Sequence, residues 1–305
     1  MSEKKIIPAL LRPGDTVAII SPSYAIDEEK VAQAEDLLEG WGLRVKRARN
    51  ALKRVGPFAG SDEERLSDLR EAVEERSVKA VFCSRGGYGL MRIIDKVNYA
   101  PLKKYPKWFI GYSDITVLHL WLSRVCGIAS LHAEMPLHFA GDGKSAESLS
   151  TLRDALFYGN LSWEWQGEAL RGGTVSGEFT GGNLSLLCSL TGTKAEPDTR
   201  GKILFIEDTG EHYYTIDRML TSLKLAGKLK HLAALVTGGF TDMHDGKIPW
   251  GMSVKETIAG IVKEYNYPLF TGCPAGHTAD NRALVMGCRA EISSEGDRIK
   301  IRFRY

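Results

Sequence analysis

One pattern narrows the possible folds more than any other: the first half of the chain keeps exchanging strand periodicity for helix periodicity. Thr16–Ser21, Ala80–Cys83 and Trp108–Ile110 are short apolar runs, and Leu43–Arg49 alternates. Between them, Asp27–Gly40 carries Val31, Ala34, Leu37 and Leu38 on one helical face. Ser61-Asp62-Glu63-Glu64 has the form of a capping box and opens a helix to about Arg76. A short helical stretch with Leu90, Ile93 and Ile94 follows the third run, and Val117–Leu122 follows the fourth. Strands that alternate with helices at this spacing predict a parallel sheet covered by helices on both faces, an α/β domain. Ligands on such sheets bind beyond the carboxyl ends of the strands. The residues just past each apolar run are therefore the ones to read for chemistry.

Past the third run lies Ser84-Arg85-Gly86-Gly87-Tyr88-Gly89, and past the fourth lies Gly111-Tyr112-Ser113-Asp114. A strand that turns abruptly into a helix exposes the turn residue and points the first-turn N–H groups at its neighbour. Ser113 is placed as the serine of a nucleophile elbow, whose usual pattern is G-x-S-x-G. Gly111 supplies the first glycine, and Ile115 stands where the second would be. The alternative for Ser113 or Asp114 is a simple helix cap. The glycine-rich turn matches neither G-x-G-x-x-G nor a P-loop. It reads as a tight turn, or as a donor of N–H groups to an oxyanion hole beside the N–H of Asp114.

The second half is less regular. Gly141-Asp142-Gly143-Lys144 breaks the pattern, a helical stretch covers Ser145 to Tyr158, and the domain boundary falls nearby, giving domains 1–160 and 161–305. Gly172–Gly182 reads as β, Asn183–Leu190 as a short helix, and Lys202–Ile206 as a strand ending at Glu207-Asp208. A helix over Tyr213–Leu225, a strand Ala233–Thr237 running into Gly238-Gly239, and a helix over Ser253–Glu264 follow. Pro268–Thr271 leads into Gly272-Cys273-Pro274-Ala275-Gly276-His277, and Ala290–Ile292 with Arg298–Phe303 form a closing pair of strands.

Ser113, Glu207 and His277 each sit past an apolar run, in the order nucleophile, acid, base that α/β-hydrolases use. A histidine can take the serine proton near neutral pH, and a carboxylate fixes its tautomer. Glu207 directly follows its strand and is preferred, although Asp208 beside it leaves a second carboxylate in play. His132, Glu134 and His138 form a small cluster without H-E-x-x-H or other metal-ligand spacing, so they read as pocket or packing residues and no metal or cofactor is expected. His119, within an apolar helix, reads as a satisfied buried residue.

With 40 Lys+Arg against 38 Asp+Glu among 305 residues, the net charge of +2 argues against a nucleic-acid surface. No apolar run reaches the roughly 18 residues of a membrane span, and Met1–Pro8 lacks the apolar core of a signal peptide. Five widely spaced cysteines without a CxxC pair read as reduced thiols of a cytoplasmic protein.

Arg85–Gly89, Gly111–Asp114, Gly181-Gly182-Asn183, Ile206-Glu207-Asp208 and Gly276-His277 occur in an order that resembles the LD-carboxypeptidase family, which also includes microcin C immunity hydrolases. The likeness runs from Pro13-Gly14-Asp15 to the C-terminal strands. It implies a flavodoxin-like N-terminal domain, a mainly β C-terminal domain, and a triad drawn from both: Ser113 as nucleophile, His277 as base and Glu207 as orienting carboxylate. It implies an oxyanion hole from the N–H of Asp114 and of either Gly86 or Gly87, and places Asn183 near the substrate. It also implies a metal-free, cytoplasmic homodimer. The activity to expect is release of the terminal D-alanine from murein tetrapeptides, with Arg85 the candidate for the substrate's carboxylate. Two other activities compete: hydrolysis of microcin C-like acyl-adenylates, and non-catalytic binding of a small molecule. The run after Asn183, Leu184–Ser189, offers no aromatic platform for adenine.

Overall fold

The computed structural model describes residues 5–140 and 145–305; the first four residues and the break at Gly141–Lys144 lie outside the described part. The chain forms two compact units: Met1–Gly159 with Ala279–Gly287, and Asn160–Thr278 with Cys288–Tyr305.

In the first unit, β1 (Thr16–Ile20), β2 (Arg44–Arg47), β3 (Val78–Cys83), β4 (Trp108–Gly111) and β5 (Ser130–His132) form a parallel sheet in the order β2-β1-β3-β4-β5. This is the flavodoxin-like order, whose switch point lies between β1 and β3. The strand Leu284–Met286 returns from far along the chain and pairs antiparallel with β5. Among the described residues, five α-helices accompany the sheet: α1 (Glu28–Gly40), α2 (Asp62–Glu74), α3 (Pro101–Lys104), α4 (Thr116–Trp121) and α5 (Ala146–Phe157).

Local chemistry accounts for these elements. The capping box of α2 is complete: Glu64 N–H donates to Ser61 Oγ at 3.3 Å, and Ser61 N–H donates to the Glu64 carboxylate at 2.9 Å. All four residues of β4 are buried, and so are five of six in β3. Parallel strands covered on both faces need such unbroken apolar runs. Each large side chain taken fully out of water there contributes about 1.5–3 kcal/mol. The stretch read as a helix around Leu90 is instead two single 3-10 turns, Leu90–Arg92 and Ile94–Lys96.

The second unit holds an eight-stranded sheet. Its parallel middle is β8 (Thr174–Asn183), β9 (Ile203–Thr209), β10 (Ala234–Thr241) and β11 (Leu269–Phe270), in that order. The hairpin Arg289–Glu295/Arg298–Arg304 and β6 (Ser162–Gln166) extend it antiparallel beyond β8, and β7 (Ala169–Leu170) closes the other edge. Helices α6 (Leu184–Ser189), α7 (Tyr213–Leu225) and α8 (Val254–Ile261) complete it. β10 does not stop at Gly238-Gly239 as its composition suggests. It runs through them with a register shift against β9 between Thr237 and Phe240, a bulge that glycine accommodates.

Candidate active site

In the first unit, β4 ends at Gly111 and the chain enters a 3-10 turn, Ser113–Ile115, that continues as α4. Ser113 has φ +64°, one of three non-glycine residues with positive φ among those described. A serine held in this sparsely allowed region at a strand-to-helix turn is the geometry of a nucleophile elbow, and such strain persists only where its surroundings enforce it. Three neighbours do so. Gly111 takes φ +155°, and a Cβ there would lie 2.8 Å from Ile115 Cγ1, so the isoleucine in place of the second motif glycine packs directly over the first. Asp114 is buried; its Oδ2 accepts from Ser23 Oγ at 2.6 Å and from the Leu90 N–H at 3.0 Å. Burial pushes the Asp114 carboxyl above the usual range. His119, buried in α4, holds the Gly111 carbonyl with Nε2 at 2.8 Å and Ser130 with Nδ1 at 2.8 Å. A carbonyl can only accept, so Nε2 carries the proton and Nδ1 accepts from the hydroxyl. Burial lowers the His119 pKa to about 4, so the ring is a neutral brace.

The glycine-rich turn lies against this elbow. A Cβ on Gly86 would sit 2.9 Å from Ser113 Cβ, 3.0 Å from its Oγ and 3.3 Å from the Asp114 nitrogen. Gly87, at φ +108°, is seated on Tyr24 instead, with a built Cβ 2.4 Å from that ring. Arg85 donates from Nη1 to the Ala25 carbonyl at 3.0 Å, with its guanidinium 5.9 Å from the Tyr24 ring centre. Ser113, Asp114, Gly86 and Gly87 thus belong to one local cluster beyond the carboxyl ends of β3 and β4.

In the second unit, Glu207 is fully buried on β9, and its Oε2 accepts from His277 Nδ1 at 2.6 Å and from the His277 main-chain N–H at 3.3 Å. The His277 side chain stays one-fifth exposed. The two meet because Gly276, at φ +96°, lets the loop fold onto the carboxylate; a Cβ there would lie 2.6 Å from Glu207 Cγ and Oε2. Gly238 and Gly239 seat the same loop. Gly239 N–H donates to the Ala275 carbonyl at 3.0 Å, and a Cβ on Gly238 would approach that oxygen to 2.4 Å. Sequence reasoning gave these two glycines no role, although a pair of glycines in a strand signals close backbone approach.

Asp208 points to the other face of β9, as strand alternation requires. Its oxygens accept from Asn183 Nδ2 at 2.8 Å, the Thr209 N–H at 2.9 Å and the Ser185 N–H at 3.0 Å. Burial, with the Glu207 charge as a smaller contribution, raises its pKa to about 6. Asn183 also caps α6 by accepting from the Leu186 N–H at 3.3 Å. Asn183 is therefore engaged at both ends of its amide, in register beside Glu207. His132 is buried on β5, and among the described residues no three His, Cys, Asp or Glu side chains form a metal-holding group.

Comparison with known proteins gives concordant results. The LD-carboxypeptidase N-terminal domain matches residues 17–133, and the LD-carboxypeptidase C-terminal domain matches residues 176–292. The probable murein peptide carboxypeptidase of Bacillus subtilis is 35% identical over 295 residues, covering 94% of this chain and 91% of that protein. The murein tetrapeptide carboxypeptidase of Pseudomonas aeruginosa is 30% identical over 294 residues, covering 93% and 94%. Among solved structures, the muramoyltetrapeptide carboxypeptidase from Oxalobacter formigenes superposes with a TM-score of 0.87 at 32% identity, over 95% of this chain and 99% of that one. The microcin C7 self immunity protein MccF, in complex with aspartyl sulfamoyl adenosine, gives 0.88 at 20% identity over 97% and 98%, a likeness of fold.

Proposed function

Because the chain belongs to the LD-carboxypeptidase family and is a serine-type carboxypeptidase, we propose that Ser113 is its nucleophile, His277 its general base and Glu207 the carboxylate that orients His277. The strained φ of Ser113 at the strand-to-helix turn carries this reading. The proposed substrate is a murein tetrapeptide, cut between the L-configured centre of its diamino acid and the terminal D-alanine. His277 Nε2 takes the hydroxyl proton as Ser113 Oγ attacks the carbonyl carbon. The carbonyl oxygen gains negative charge and is held by the N–H of Asp114 and of the Gly86–Gly87 turn. The C–N bond breaks, the D-alanine amine leaves with the proton from His277, and an acyl ester remains on Ser113. Water, deprotonated by His277, then frees the tripeptide and restores the serine.

Glu207 suits its part: with Oε2 on Nδ1–H, it leaves Nε2 as the basic nitrogen and stabilises the imidazolium that forms. Asp208, engaged with three N–H donors, supports α6 instead. Arg85, with one nitrogen on Ala25, is proposed to offer the rest of its fork to the substrate's terminal carboxylate. No described helix is long and apolar enough to cross a membrane, and we place the reaction in the cytoplasm, during cell-wall recycling.

The test is labelling with a serine-reactive phosphonate followed by peptide mapping. The adduct is expected on Ser113, formed far more slowly in His277→Ala. An adduct on another serine, or none, counts against the assignment.

A further inference from the structure

A concavity lies at the edge of the first sheet opposite the elbow. A cleft of about 640 Å³ opens under the amino ends of β1, β3 and β4, where Asp15, Val78 and Pro106 line it. These strands run four to six residues at about 3.3 Å each, so the cleft and the elbow lie roughly 13–20 Å apart. The cleft is ringed by four cations, Arg12, Arg76, Lys79 and Lys104, against the single acid Asp15. A whole-chain balance of +2 does not lead one to expect that concentration. Asp15 is already engaged, accepting from the Arg12 main-chain N–H at 2.8 Å.

Two of the cations adjoin one aromatic ring. The Arg76 guanidinium lies 5.1 Å from the ring centre of Tyr105, and Lys104 Nζ lies 5.5 Å from the same centre. Among the described residues, none of the four cations is held in a salt bridge. Two cations within about 5.5 Å of one ring centre lie close enough together to offer charge-assisted hydrogen bonds to a single multivalent anion. The apolar wall is fixed in advance. The Trp108 indole donates to the Ala9 carbonyl at 3.0 Å, and the Leu11 N–H donates to the Leu156 carbonyl at 2.8 Å. Leu10 and Phe157 add apolar surface beside the cations. Preformed clefts of some 300–1,000 Å³ with an apolar wall and a few polar groups suit small molecules.

We propose that this cleft is a second ligand site, which binds a small phosphorylated molecule: the phosphates between Arg76 and Lys104, its apolar part against Leu10 and Phe157. The size of the cleft favours such a ligand over a nucleic acid or a membrane, which would require an extended basic face.

The test is isothermal titration of the full-length protein at fixed ionic strength, with inorganic pyrophosphate and then ADP as probes. The expected result is saturable one-to-one binding with Kd below about 1 mM, tighter for ADP. The double change Arg76→Ala with Lys104→Ala is expected to weaken it at least tenfold, while Lys103→Ala and Ser113→Ala leave it unchanged. Lys79→Glu repeats the test at a third position should the double variant lose its circular dichroism. The proposal is overturned by absence of saturable heat with both probes, by unchanged Kd in the folded double variant or in Lys79→Glu, or by loss of binding in Ser113→Ala. Binding of duplex DNA or anionic vesicles without binding of pyrophosphate overturns it equally.

Discussion

Glu207 and Asp208 are neighbours on one strand with opposite environments, so the same chemical change at each should have different consequences. Glu207→Gln removes the charge that holds His277 Nδ1 at 2.6 Å. A hydrogen bond to a charged group contributes about 1.5–3 kcal/mol, which is roughly 10- to 200-fold in rate. If the amide presents its NH2 to Nδ1, the proton is forced to Nε2 and the ring cannot act as base, which raises the loss toward about 10⁴-fold. We therefore expect kcat to fall about 10- to 10⁴-fold with KM little changed. Asp208→Asn acts on stability instead. It gives up acceptor capacity toward Asn183, Ser185 and Thr209, a cost of about 1–3 kcal/mol. It also removes a buried charge whose pKa is raised from 3.8 to about 6, worth about 3 kcal/mol at neutral pH. The two nearly cancel, but the pH dependence does not. A carboxyl with raised folded pKa favours the folded state when protonated, so its contribution is full below pH 3.8 and lost as pH rises through about 6. Urea unfolding of wild type minus Asp208→Asn should show this slope, and steady-state kinetics should show Asp208→Asn close to wild type. A damaging Asp208→Asn beside a neutral Glu207→Gln refutes the assignment of the two carboxylates.

Other changes separate site from scaffold. Gly86→Ala puts a methyl 2.9 Å from Ser113 Cβ and 3.3 Å from the Asp114 nitrogen; the elbow must shift, so kcat/KM should fall about 10²-fold or more, with a lowered Tm beside it. Gly87→Ala, at φ +108° and with its methyl 2.4 Å from the Tyr24 ring rather than against Ser113, should lower Tm with a smaller loss of kcat/KM, as calorimetry and steady-state kinetics will show. Lys107 is buried, donates to the Ala72 and Glu75 carbonyls, and has its pKa lowered to about 8. At this position the unfolded chain then binds more protons between pH 8 and 10.5, so the contribution of Lys107 to wild-type stability should rise across that range, read as the difference between wild type and Lys107→Met. Lys107→Met should flatten that rise in denaturant titrations.

The parallel sheet was legible because its strands are buried on both faces and must be written as apolar runs, as in Val78–Cys83 and Trp108–Gly111. Strand β5 was not: three residues beginning with serine and ending with histidine carry no periodicity, and they join the sheet only through β4 and the distant Leu284–Met286. The return of 279–287 to the first unit was hidden for the same reason, since nothing local marks a long-range pairing. Within the candidate site, the elbow announced itself by a strand, a glycine and a helix in succession. The choice between Glu207 and Asp208 required the pleat of β9 and the loop conformation at Gly276. Asn183 was marked by its place after two glycines, while its cap and its bond to Asp208 follow from α6 and β9 meeting in space.

The most direct test of the central claim is mass spectrometry of the products formed from a mixture of murein tetrapeptides. Wild-type protein is predicted to remove one alanine, D by chiral analysis, from tetrapeptides ending in D-alanine and to leave the L-alanine epimers intact. Ser113→Ala is predicted to bind the tetrapeptides and release nothing. Tetrapeptides left untouched by the wild type while acyl-adenylates are cleaved, or alanine released at an undiminished rate by Ser113→Ala, would contradict it.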